Sequence, residues 1–146
     1  MKVATLGDLR KRLSLTFEEF VVLLSANLET FPDLLDATPV LLTAIQNLEK
    51  ELKDLKTIVH EHKELRHGNV LNALMELETL VSEDHKGSLD RFHSLLKTLT
   101  QITPEDQDKT LTIIQADFVN LKTTHTTLLK FLEAEGNLEI KNPEKN

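Results

Sequence analysis

The chain has no cysteine, no tryptophan and no tyrosine. The first absence excludes disulfides, thiolate nucleophiles and Cys-ligated zinc. The other two leave six phenylalanines as the only aromatic anchors of the kind that dominate binding hot spots. Basic residues are also scarce: 17 Lys and Arg stand against 24 Asp and Glu, a formal net charge of −7. The densest basic run, "LRKRL" (9–13), has Asp8 beside it. Such a composition is poorly suited to polyanions, so neither nucleic acid nor an anionic membrane is an expected partner. The longest wholly apolar run is "FVVLL" (20–24), far short of a membrane span. The opening "MKVATLGDLRKRL" lacks the apolar stretch of a secretory signal. A soluble, cytoplasmic protein is expected.

Glycine and proline are limited to four each, so each one punctuates. Thr38-Pro39 and Thr103-Pro104 place a capping hydroxyl before a proline suited to the first helical position. Gly68-Asn69 and Gly136-Asn137 read as helix stops, and Pro32 as the end of a first segment. Between these marks the apolar period is helical throughout. A first segment (about 5–30) carries Leu6, Leu9, Leu13, Phe17, Phe20 and Leu24, with Thr16 and Glu19 as an internal capping box. A second (about 39–67) carries Leu41, Ile45, Leu48, Leu52, Leu55 and Val59. A third (about 70–101) changes phase across "SEDHKGS" (82–88), and a fourth (about 104–135) carries Leu111, Ile114, Phe118, Leu121, His125, Leu128 and Leu132.

No run alternates with period two, so the expected fold is all-α. Short connections force antiparallel neighbours. The expected architecture is an up-down-up-down antiparallel four-helix bundle of residues 1–136, its third helix kinked or broken near Gly87, with 137–146 as a polar tail outside it. The alternative packs the first segment on a second copy.

The six histidines are the residues most suggestive of chemistry. His62 and His125 continue the apolar seams of the second and fourth segments, at similar distances beyond Pro39 and Pro104. If those segments start at the same end, the two rings share a level, and Glu78 of the third segment lies at a nearby height. Two imidazoles and a carboxylate make a candidate metal set. The plainer reading is a pair of hydrogen-bonded core histidines, which when buried and neutral would make the protein less stable in mild acid. The paired Glu-x-x-His pattern of ferritin-like bundles is incomplete: Glu64 and His67 fit it once, and Asp90 and His93 form only an Asp variant. His60, Glu64 and His67 share an exposed face. Phosphotransfer candidates are His85, followed by Lys86 and Gly87, and His67, ahead of Asn72 and Leu74, both with imperfect spacing. There is no Gly-x-Ser-x-Gly, phosphate-cradling loop or dinucleotide fingerprint, and no cofactor is expected.

These readings favour a non-enzymatic interaction module: an adaptor, chaperone-like or scaffolding bundle that binds partner helices through apolar faces. Ile58 and Leu65 flank the seam of the second segment, and Leu129 and Phe131 that of the fourth. They are the expected contact residues for a protein partner or a second copy. The alternative is a histidine-dependent site, either metal-binding or phosphotransfer.

Overall fold

The computed structural model describes residues 4–65 and 68–140. It is all-helical apart from one two-residue pairing, with five α-helices among the described residues: α1 (Leu6–Ala26), α2 (Phe31–Glu61), α3 (Gly68–Leu80), α4 (Ser88–Lys97) and α5 (Gln107–Ala134). The pairing joins β1 (Ala4–Thr5) to β2 (Glu139–Ile140), antiparallel. Short 3-10 turns at Lys63–Leu65, Leu99–Gln101 and Pro104–Asp106 complete the chain. The third segment is thus two helices, separated by residues 81–87.

Helix α1 starts at a capping box that its sequence spells out. Thr5 Oγ1 accepts from the Asp8 amide (3.1 Å), and Asp8 Oδ2 accepts from the Thr5 amide (3.0 Å). The Thr16–Glu19 box does not form. Thr16 Oγ1 donates to the Arg12 carbonyl, and α1 runs unbroken.

The start of the second helix also departs from expectation. Thr30 is the cap, its Oγ1 accepting from the Asp33 amide at 3.2 Å, and Pro32 lies in the first turn. Pro32 therefore opens α2 rather than closing α1. Pro39 sits inside the helix, and Thr38, far from capping anything, donates its hydroxyl to the Leu34 carbonyl. An interior proline costs about 3 kcal/mol. Phe31 and Leu34 before it, and Leu41 and Ile45 after it, are all buried on one stripe. At roughly 1.5–3 kcal/mol for each buried side chain, that stripe outweighs the break.

Helix α1 lies against both α2 and α5, α3 packs along α5 and against α2, and α4 bridges α2 and α5. Helices α2 and α5 meet only slightly. Phe20 of α1 is fully buried at the centre, edge-on to Phe92 of α4 and Phe118 of α5 with centroids 6.1 and 6.3 Å away.

Residues 138–140 do not lie outside the helices. The Leu138 and Gly136 carbonyls accept from the Leu6 and Gly7 amides, each at 2.9 Å. These are first-turn donors of α1 that would otherwise lack an acceptor. Ile140 is buried against the core. Polarity made this stretch look like a loose tail, but Leu138 and Ile140 supply an apolar edge and the backbone supplies the clip. Residues 141–146, the rest of the expected tail, fall outside the described residues.

Candidate functional site

The sequence-derived metal candidates occupy three different settings. His62 follows the last turn of α2, with Nδ1 2.9 Å from the Ile58 carbonyl. His125 lies in the middle of α5, 1% exposed, its Nδ1–H donating to the Leu121 carbonyl at 2.7 Å. Its ring stacks on Phe17 at 4.4 Å and 6°. Glu78 is half-exposed on α3 and faces α2 elsewhere, pairing with Lys56 Nζ (3.1 Å) and His60 Nε2 (3.4 Å). The expected common level assumed that the second helix starts at Pro39. The helix starts at Phe31 instead, and His62 is its C-terminal cap, buried and hydrogen-bonded as the plainer reading expected.

No group of three His, Asp or Glu among the described residues is arranged to hold a metal. His67 lies outside the described residues, and with it the His60–Glu64–His67 face and one phosphotransfer candidate. His85 occupies a turn at φ 60°, next to a tight Ser82–Asp84–Lys86 hydrogen-bond cluster.

The polar cluster that the structure does assemble is a different one. On α4 the stripe Leu89, Phe92, Leu96 is buried, which carries Asp90 and His93 beside it into the α2 interface. On α2, Glu49 follows the buried Leu48 and is itself only 8% exposed. Asp90 Oδ2 accepts from the Ser82 amide (2.9 Å) and the Gly87 amide (3.2 Å), tying the 81–87 segment to the first turn of α4. His93 Nδ1 is in close contact with Glu49 Oε1. The Asp90 carboxyl is close enough to act on that of Glu49.

Burial, then the hydrogen bond and charge of Asp90, push the Glu49 carboxyl up to about 7, against the weaker pull of Lys53 and Lys97. Burial first, and then the Lys97 charge, hold His93 below its ordinary value. Around neutrality Glu49 is therefore near its midpoint, and His93 is held towards the neutral imidazole. Among the described residues, His93 Nε2 and Asp90 Oδ1 are buried without a donor or acceptor.

The sequence held a signal for half of this cluster, the Asp90–His93 spacing. Glu49 gave none, because it sits one position off the apolar seam, where a solvated side chain is the default.

Of the residues expected to contact a partner, Leu65 is 3% exposed and enclosed in the core. Leu129 and Phe131 are half-buried against the core. Ile58 is also half-buried, but it lines an open groove of about 650 Å³ between α1 and α2, together with Leu9, Leu13 and Leu55. Arg12, Glu51 and Asp54 form its polar side, and Arg12 approaches Glu51 at 3.9 Å. No helix among the described residues is long and apolar enough to cross a membrane.

No curated protein matches the chain, and no solved structure does. A family model described as the herpesvirus UL32 N-terminal domain matches residues 5–137, from the cap of α1 to the turn after α5. That span takes in all five helices, and the chain belongs to this family.

Proposed function

We propose that the chain is a non-enzymatic interaction module, an adaptor or scaffold through which a herpesvirus protein engages other proteins inside the cell. In the finer architecture we favour, α1, α2, the α3–α4 pair and α5 alternate in direction around one core. The observation that carries the functional reading is the α1–α2 groove. Its floor is apolar, from Leu9, Leu13, Leu55 and Ile58, and its polar side carries both signs of charge, from Arg12, Glu51 and Asp54. That is the form of surface into which an amphipathic helix lays its apolar face. The groove is a joint between two long helices, so its shape is fixed by the fold rather than by loops.

The test compares two single variants, Ile58→Asp in the groove and Met75→Asp on the exposed face of α3. Both are to be checked for native helicity by circular dichroism. In cross-linked pull-downs from infected cells, the wild type and Met75→Asp are expected to retain the same stoichiometric partner, and Ile58→Asp to lose it by at least tenfold. Sedimentation of the purified protein covers the case in which the partner is a second copy. Retention of every partner by Ile58→Asp, with unchanged mass in solution, would remove the groove from the account.

A further inference from the structure

The groups enclosed between α2 and α4 form a continuous polar chain with one missing donor. The Ser82 and Gly87 amides donate to Asp90 Oδ2, which makes Asp90 the acceptor of this cluster. Among the described residues Asp90 Oδ1 is buried with no donor, and the neighbouring Glu49 carboxyl holds His93 Nδ1 at its Oε1. A proton on Glu49 supplies the missing donor to Asp90, while the other Glu49 oxygen accepts from His93 Nδ1–H. Without that proton, two carboxylates lie side by side in a buried interface, and the neutral His93 brings no compensating charge.

We propose that Glu49 is a proton-operated latch: as the neutral acid it fastens α4 and the 81–87 segment to α2, and loss of its proton releases them. The charged and titratable groups acting on it are Lys53 of its own helix and Asp90, His93 and Lys97 of α4. The two lysines favour ionisation, and burial together with Asp90 outweighs them. Helix α4 is the element suited to local release. It has 10 residues, the fewest of the five helices, and its first turn is held to the preceding segment through the Asp90 carboxylate.

Opening α4 lets Glu49 return towards its ordinary value of 4.5 from about 7. Linkage then makes the opening constant about tenfold larger at pH 8.5 than at pH 6. Amide hydrogen exchange of the full chain at these two pH values, corrected for intrinsic rates, reads this directly. The α4 amides are expected to lose about tenfold in protection and to open more readily than those of α5. Glu49→Gln, whose amide mimics the protonated acid, is expected to show no change.

The same pH response in Glu49→Gln, or α4 and α5 opening together with one constant at both pH values, would overturn the latch. A second reading needs no variant. In wild-type protein carrying 13C-labelled glutamate carboxyls, one signal is expected to titrate near neutrality, and titration of every glutamate in the ordinary acidic range would refute the proposal.

Discussion

Gly87→Ala is expected to destabilise the protein by on the order of 3 kcal/mol or more, a fall of about 10 °C in Tm for a chain of this size. The backbone angles of Gly87 are ordinary, φ −65° and ψ 161°, so any residue could adopt them. The obstacle is space. A Cβ at this position would lie 2.2 Å from the Leu80 carbonyl oxygen and 2.7 Å from the Val81 nitrogen, both backbone atoms that no rotamer change can move. Relief requires shifting the 81–87 segment off the end of α3, which breaks the Asp90 hydrogen bonds to the Ser82 and Gly87 amides.

Gly68→Ala is the matched control. Gly68 has φ +50°, but a Cβ there would meet only a Glu135 carboxylate oxygen at an ordinary 3.8 Å, so alanine carries only the left-handed penalty of about 1 kcal/mol. Chemical denaturation of the two variants at one pH measures the contrast. Equal losses would mean that the chain does not pass as closely over Leu80 as described.

A second large effect concerns pH, where two buried groups oppose each other. His125 is held down to about 4 by burial, against its ordinary 6.5. Its contribution is fully present above pH 6.5 and is lost as the pH falls through 4. Glu49 is held up to about 7, against 4.5. Its contribution is fully present below pH 4.5 and is lost as the pH rises through 7. Each shift is worth up to about 3 kcal/mol at about 1.4 kcal/mol per pH unit. Between pH 4.5 and 6.5 folding takes up a proton at Glu49 and releases one at His125. Wild-type stability is therefore expected to be nearly flat in this window, apart from a smaller acid-side loss from His93, whose shift has the same sign as that of His125.

The variants separate the two slopes. In Glu49→Gln the His125 slope remains, and stability rises with pH across the window by about 1.4 kcal/mol per unit. In His125→Leu the Glu49 slope remains, and stability falls with rising pH at the same rate. Thermal melts at half-unit steps from pH 4.5 to 8 suffice. Parallel curves in all three proteins would show that neither group carries the linkage. The seam histidines alone predict a lower Tm at pH 5 than at pH 7.5, and Glu49 is the reason that difference is expected to shrink in the wild type.

The helical class, the phase change near Gly87 and most of the buried stripe were readable from apolar spacing, because a 3.6-residue period is imposed by the core itself. Leu13, Phe17, Phe20 and Leu24 on α1, and Ile114 to Leu132 on α5, are buried in the expected order. What misled was punctuation. Thr-Pro pairs occur at residues 38–39 and 103–104, but only the second opens a helical turn. The first is overridden by Phe31 and Leu34, which extend the buried stripe upstream of the proline.

The polar cluster was harder still. A carboxylate at Glu49 is adjacent to Leu48 in sequence, and whether it faces water or α4 depends on how α4 is rotated. That rotation is set by Leu89, Phe92 and Leu96 after the chain breaks at residues 81–87. Local pattern cannot report a rotation fixed by a distant segment.

The clip between residues 4–7 and 136–140 has a kinetic consequence. Its hydrogen bonds join stations separated by almost the whole described chain, so they repay the entropy of closing that loop only once the intervening helices have docked. The amides of Leu6 and Gly7 are therefore the ones to acquire protection last during refolding, after the centre of α5 is already shielded.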